Sequence, residues 1–352
     1  MSTQEAPTSA SPQPPAPSVD AAEQFMDRTS PMQRFQHLLH KYPAIGPAIV
    51  LVAAMIVFSF MNDRFISPAN LSLITQQVAV VGTLAIGQTI IILTAGIDLS
   101  VGAIMVLTSL VMAKLSADAG VPGLLAILIG FAAGAFAGFV NGFLVTKVRL
   151  PPFIATLGTL SIFTALALLY SGGTTIRGSA MPDILTWTGE PIKVGGFVFT
   201  WGVVIMIVLY VFFGFILTRT AWGRHVYAVG DDKEAARLAG ISVNRVLLSV
   251  YIAAGLVFAI TAWILVGRID AASPNAGADA NLDSITAVVI GGTSLFGGRG
   301  TVYGTLLGAL IVGVFRNGLS LAGYDVLYQT LVVGVLVILA VAVDQWIRKV
   351  RV

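Results

Sequence analysis

The chain has 352 residues, of which 56% are hydrophobic and only 11% charged, with a net charge of +3. A soluble globule carries about 25% charged residues, so this composition excludes an ordinary water-soluble fold. With no cysteine, disulfides, thiol chemistry and thiolate metal sites are excluded too.

Residues 1–30 are rich in Pro, Ser and Ala, most densely from Met1 through Pro17. Such a stretch buries too little to fold and lacks the basic start and short apolar core of a secretory signal. It reads as a disordered cytoplasmic tail ahead of a membrane domain over 31–352. There the apolar runs reach roughly 17–22 residues, the length a helix needs to cross hydrocarbon. A backbone inside lipid must bond to itself, so the runs read as helices. Ten are expected, near 44–61, 77–95, 99–116, 123–145, 152–171, 197–217, 246–267, 284–297, 301–321 and 326–347. The eighth is short and glycine-laden, and reads as a broken or re-entrant element.

Lys and Arg placement gives these spans a direction. With a cytoplasmic N-terminus, the inside holds Arg28, Arg34, Lys41, Lys147, Arg149, Arg219, Arg224, Lys233, Arg237, Arg245, Arg299, Arg348, Lys349 and Arg351. Only Arg64, Lys114, Arg177, Lys193, Arg268 and Arg316 fall outside or near the outer interface. An even number of spans also returns the basic C-terminus to the inside, and these flanking cations explain the charge without a nucleic-acid partner. The outer loops near 172–196 and 268–283 read either as solvated connectors or as a docking surface for an extracytoplasmic partner.

Four features bear on function. The hydrophilic loop 218–245 carries Gly223, Arg224 and then Asp231-Asp-Lys-Glu-Ala-Ala-Arg-Leu-Ala-Gly240. Asp231 or Asp232 suits an N-cap, Glu234 sits where the helix dipole favours it, and Gly240 is placed to end the helix left-handed. The pattern predicts about two helical turns on the cytoplasmic side, kept slim by Ala235, Ala236 and Ala239, with Arg237 on the same turn. An ordinary amphipathic loop helix fits that spacing as well. The second feature is Gly96-Ile-Asp98-Leu-Ser100, whose aspartate is the one acidic residue between Asp63 and Asp118. An ionisable group at membrane depth is usually functional, yet Asp98 or Ser100 would also serve as a cap for the third span.

Glycine spacing is the third feature. Gly130, Gly134, Gly138 and Gly142 form one stripe, and Gly300, Gly304 and Gly308 another. Such stripes let helices approach closely in lipid. The fourth is Ile290-Gly-Gly-Thr-Ser-Leu-Phe-Gly-Gly-Arg-Gly300, where Gly291 and Gly292 begin a run too glycine-rich for a continuous helix. Irregular backbone at that depth is tolerated where it lines a cavity or is covered by protein. No Gly-Lys pair occurs in the chain, so a phosphate-cradling loop is excluded. Inside the spans Gln88, Asn141 and Asn317 stand out as polar, suited to bonding between helices or to lining a path for a polar solute.

Across these motifs the chain resembles the permease subunits of ribose-type ABC importers, which take up monosaccharides. The resemblance rests on Gly96-Ile-Asp-Leu-Ser-Val-Gly102, Asn141-Gly142, Pro151-Pro-Phe-Ile-Ala-Thr-Leu-Gly158, Gly223-Arg-His-Val-Tyr-Ala-Val-Gly230, Ala235-Ala-Arg-Leu-Ala-Gly-Ile241 and Gly291-Gly-Thr-Ser-Leu-Phe-Gly-Gly-Arg-Gly-Thr301. It extends from about residue 44 to 347, and is greatest towards fructose-type members. It implies an all-α, polytopic fold of about ten transmembrane helices, of the type II importer kind, in a bacterial inner membrane. It also implies a second permease copy, a cytoplasmic ABC ATPase and a periplasmic sugar-binding protein as partners, with no cofactor held by this chain. The helix near 232–240 then resembles the coupling helix that docks on the ATPase. Glu234-Ala-Ala-Arg-Leu-Ala-Gly240 holds only the first half of the E-A-A-x-x-x-G pattern of other importers.

A stand-alone ion-coupled sugar transporter is the rival reading, with Asp98 as its titratable group. A membrane-embedded enzyme would need convergent His or carboxylate groups. His37, His40 and His225 provide no such cluster.

Overall fold

The computed structural model describes residues 45–277 and 279–349. The expected tail over 1–30, the basic residues up to Lys41 and the C-terminal residues 350–352 lie outside the described residues.

The described chain is mostly helical. Its helices are α1 (Ile45–Met61), α2 (Pro68–Leu93), α3 (Val101–Ala117), α4 (Gly123–Thr146), α5 (Pro152–Ser171), α6 (Asp183–Thr186), α7 (Trp201–Arg219) and α8 (Ala221–Asp231). They continue as α9 (Lys233–Leu238), α10 (Val243–Ile269), α11 (Ala280–Ile290), α12 (Val302–Leu321) and α13 (Val326–Lys349). Six of them (α2, α4, α5, α7, α10 and α12) are long and apolar enough to cross a membrane. The apolar helices α1, α3, α11 and the Val326–Ala342 part of α13 fall short of that length.

Most expected spans coincide with a helix, but two are shifted. The second starts at Pro68 rather than near 77, because Ser67 caps it and proline occupies its first turn. Two of the polar residues that broke its apolar pattern bond to one distant residue. Ser72 Oγ accepts the Val198 N–H at 2.9 Å, and Gln76 Nε2 donates to the Val198 carbonyl at 3.0 Å. The eighth is a helix only over Ala280–Ile290, and the remainder to residue 300 is a loop. Gly292, Gly297, Gly298 and Gly300 all hold positive φ in that loop, which no continuous helix permits.

At the centre lie α2 and α10. The apolar window of α2 is 83% buried, whereas that of α5 is 28% buried, so α2 is enclosed by protein while α5 is peripheral. Along α4 the glycine stripe packs on α10: a Cβ at Gly134 would meet Ala259 Cβ at 2.6 Å, and one at Gly138 would meet the Tyr251 backbone at 2.9 Å. Gly255 answers from α10, 2.9 Å from Gly138 N by the same measure. Backbones this close gain dispersion contacts that larger side chains would prevent, which is how helices associate in lipid.

The fold is not purely helical. Strand β1 (Ile176–Arg177) pairs antiparallel with β4 (Ala271–Ala272), and β2 (Pro191–Val194) forms a hairpin with β3 (Phe197–Thr200). The loops before α7 and after α10 are therefore stitched together rather than loose connectors. Thr188 Oγ1 donates to the Trp263 carbonyl at 2.9 Å, and Trp263 Nε1 donates to Ile184 O at 2.9 Å, pinning α6 to α10.

Candidate functional site

The hydrophilic segment after α7 folds into two helices, where one was expected. Thr220 caps α8 by accepting the Gly223 N–H, and α8 buries Gly223, Val226, Val229 and Gly230 on one face. Its two glycines argue against a helix by propensity, and the apolar face of Val226 and Val229 was the signal that outweighed them. Asp232, rather than Asp231, then caps α9, accepting the N–H groups of Glu234 at 2.8 Å and Ala235 at 3.0 Å. Gly240 ends the turn with φ of 83°, as its position foretold.

Five of the six residues of α9 are exposed. Ala236 alone is buried, so it faces the chain itself rather than a partner, and Gly223 is likewise enclosed, against the carbonyls of Ile216 and Leu217. Arg224, Glu234, Ala235, Arg237 and Gly240 are exposed. Leu238 is 90% exposed, a large apolar side chain at the tip of a polar segment. The Glu234–Arg237 ion pair at 3.1 Å is also solvent-facing, so it adds only about 0–1 kcal/mol to the helix.

Behind α9, the end of α8 meets two breaks in the bundle. The first is the turn after α2, where Ala95 adopts φ of 58°. The second is the glycine loop before α12. Gly298 N–H donates to the Leu93 carbonyl at 3.0 Å, joining the breaks directly. Gly230 packs on that same carbonyl, with Gly298 N only 2.7 Å from where a Cβ would stand. A Cβ at Gly297 would lie 2.6 Å from Gly230 O and 2.8 Å from Ala95 N, and one at Gly298 would lie 2.8 Å from Asp231 Cα. Tyr227 Oη donates to the Gly300 carbonyl at 2.8 Å, and burial pushes its phenol up, keeping it a donor. Three backbones thus interlock where only glycine fits.

Next to this junction, Asp98 is 1% exposed and sits in a polar cluster. Its Oδ1 accepts both the N–H of Ser100 (2.7 Å) and its hydroxyl (2.6 Å). Its Oδ2 accepts from Asn141 Nδ2 at 3.1 Å, and Asn141 also donates to Ser100 Oγ at 2.8 Å. Thr159 Oγ1 donates to Asn141 Oδ1 at 2.7 Å, carrying the cluster from α4 to α5. Among the described residues the buried Tyr251 hydroxyl has no hydrogen-bond partner, and Gly96 lies against it. Neither Asp98 nor Ser100 caps α3 with its side chain. That role falls to Asn281, whose Oδ1 accepts the Gly102 N–H at 2.6 Å from across the fold. Thr156 and Thr159, three apart on one face of α5, were a legible sign of this cluster that went unread.

Of the other polar candidates, Asn317 forms a reciprocal amide pair with Asn70, at 2.9 and 3.0 Å, that ties α12 to α2. Beside it Arg316 holds Asp283 at 2.7 Å and Asp279 at 3.4 Å. Gln88 departs from the expected interhelical bond: its side chain is fully buried and neither amide atom has a partner among the described residues. Gly291 is a packing residue against the backbone of Gly304 and Thr305, while Gly292 is exposed. Among the described residues no group of three or more His, Cys, Asp or Glu could hold a metal.

Membrane-length helices around a buried polar cluster, with an exposed helix clamped to breaks in the bundle, define an integral membrane transport subunit. The chain belongs to the family described as branched-chain amino acid transport system / permease component, which it matches over residues 70–341. It is 52% identical over 323 residues to a fructose import permease protein of Rhizobium meliloti, covering 91% of this chain and 90% of that protein. Against a ribose import permease protein of Bacillus subtilis the identity is 39%, covering 90% and 98% respectively. Against a xylose transport system permease protein of Escherichia coli it is 34%, covering 85% and 91%.

Proposed function

We propose that this chain forms the pore of an ATP-driven ABC importer that takes up a monosaccharide. Its relatives' names, which specify fructose, ribose and xylose, support that cargo class. In this reading residues 31–352 are the transmembrane domain, with about ten spans in the type II importer arrangement and the segment 218–245 on the cytoplasmic side. The chain lies in the inner membrane with both termini inside, paired with a second copy. A periplasmic sugar-binding protein delivers the cargo and a cytoplasmic ABC ATPase supplies the work.

The observation that carries the coupling role is the pairing of exposure with rigidity at α9. Its surface is free for a partner, while Asp232 joins it without a linker to α8 and so to the glycine junction. A push on α9 as the ATPase closes would move Gly230 against Leu93 and Gly298, and rigid helices would pass that displacement to the pore. Gly223, Arg224, Asp232, Glu234, Ala235, Ala236, Arg237 and Gly240 build or present this element. Gln88, Gly96, Asp98, Ser100, Asn141, Gly291, Gly292 and Asn317 belong to the translocation and gating region it acts on.

Proteoliposomes holding the permease, its ATPase and its binding protein test this directly. ATP with a monosaccharide should drive uptake, and an ion gradient without ATPase should not. Uptake driven by the ion gradient alone would favour a secondary transporter, and ATP-driven uptake confined to branched-chain amino acids would redirect the cargo.

A further inference from the structure

We propose that Asn281 is a positioning residue, the latch of a closed frame that carries the state of the outer loops to the coupling junction. The proposal rests on the importer reading and orientation given above, which supply a partner at each end. The frame has two limbs. One is the non-helical stretch from Leu93 into the first turn of α3, and the other is α11 with the glycine loop behind it. They are bonded to each other at both ends. At the inner end the Gly298 N–H donates to the Leu93 carbonyl at 3.0 Å, and at the other the Gly102 N–H donates to Asn281 Oδ1 at 2.6 Å. The first limb has little slack: Thr156 Oγ1 donates to the Ile97 carbonyl at 3.1 Å, and Ser100 and Asn141 hold Asp98. Rigid limbs closed into a frame cannot shift at one end without loading the other.

Beyond Asn281 the frame runs into both outer loops. Gly277 packs on α3, where a Cβ would lie 2.6 Å from Met105 Cε. Thr175 Oγ1 donates to Ser273 Oγ at 3.0 Å, beside the β1–β4 pair, so the loop before α7 is tied in as well. The form of the joint argues for more than stabilising α3. A first-turn N–H has no intrahelical acceptor, and such groups are ordinarily met from the cap position. Ser67, Thr220, Asp232 and Thr301 do this for α2, α8, α9 and α12. Ser100 does not do so for α3, and the acceptor comes instead from 179 positions away. The importer reading calls for such a link, because the binding protein meets the outer loops and the ATPase meets α9.

Three variants of the full chain test this. Asn281→Leu deletes the acceptor at similar volume, and Asn281→Asp keeps it where the α3 dipole favours charge. Gly102→Ala leaves Asn281 in place, but its methyl would stand 2.8 Å from Asn281 Oδ1 and push the side chain off. In the purified permease, hydrogen exchange at the Gly102 amide should quicken about tenfold in Asn281→Leu and Gly102→Ala, as for one lost buried hydrogen bond, and stay near wild type in Asn281→Asp. In the permease–ATPase complex in nanodiscs, basal ATP hydrolysis should be the same in all four proteins. Its stimulation by binding protein loaded with D-fructose or D-ribose should fall about fivefold or more in Asn281→Leu and Gly102→Ala, and persist in Asn281→Asp. Faster exchange with undiminished stimulation overturns the proposal, as does exchange that none of the variants alters. An equal loss of basal and stimulated hydrolysis overturns it too, since Asn281 would then be a structural residue only. The exchange measurement needs no partner, so a wild-type complex that neither loaded binding protein stimulates would sink the importer reading while the latch itself stood.

Discussion

Replacing Gly230 with alanine should disconnect the exposed helix from the bundle without unfolding it. The added methyl would press into the Leu93 carbonyl oxygen and stand 2.7 Å from Gly298 N and 2.9 Å from Leu93 C. Ordinary contacts of a carbon atom need about 3.3 Å or more, so even the two looser neighbours must retreat by about 0.4–0.6 Å. All three are backbone atoms, with no side chain able to swing aside. Overpacking of this kind costs about 1–3 kcal/mol. Prying open the Gly298–Leu93 hydrogen bond adds about 1–3 kcal/mol more. A misfit of even ~2.8 kcal/mol at the transmitting step would slow sugar uptake about a hundredfold. Membrane-inserted protein and ATPase binding should persist, because the strain is local and α9 is untouched. Gly158→Ala is the control, since no atom lies within 4 Å of its Cβ position. Uptake and sugar-stimulated ATPase activity should be followed in proteoliposomes against the amount of assembled complex. Normal uptake by Gly230→Ala would refute the reasoning.

Three further outcomes are expected. Ala235→Trp, on the exposed face of α9, should abolish sugar-stimulated ATPase activity while circular dichroism and melting of the permease alone stay unchanged. Arg316→Met should lower the melting temperature sharply, by the ~3–5 kcal/mol that follows from leaving a buried carboxylate alone. Adding Asp283→Leu should restore much of the loss, as a double-mutant cycle would record. Asn317→Ala should cost about 1–3 kcal/mol by orphaning Asn70 Oδ1, while Asn70 Nδ2 keeps the Phe65 carbonyl, and Asn70→Ala with Asn317→Ala together should cost less than the sum of the singles.

Much of this arrangement was legible in local patterns. A cap at Asp231 or Asp232, the left-handed Gly240 and a close helix approach along the α4 glycine stripe all follow from residue type and spacing over a few turns, whereas the partner helix α10 does not. Pro68 with Ser67 is an equally local signal for the true start of α2, but Asn70, Ser72 and Gln76 interrupt the apolar run there. Their partners, Asn317 and Val198, are distant in sequence, and no local pattern announces them. The same holds for Asn281 reaching Gly102 and for Gly298 reaching Leu93. Gln88 marks the opposite case: its polarity suggested an interhelical bond, and among the described residues it finds no partner. The glycines of Ile290–Gly300 read as a broken helix, which they are, but that they meet α8 depended on the whole topology.

Because the chain has no cysteine, Leu238→Cys creates a single reporter at the tip of α9. Its maleimide labelling should be measured in membranes with and without the ATPase partner. With α9 as the docking element, labelling is fast in the permease alone and at least tenfold slower in the complex, and a bifunctional reagent links the two proteins. Equal labelling rates in a complex that still transports sugar would contradict the assignment of α9 and the coupling route built on it.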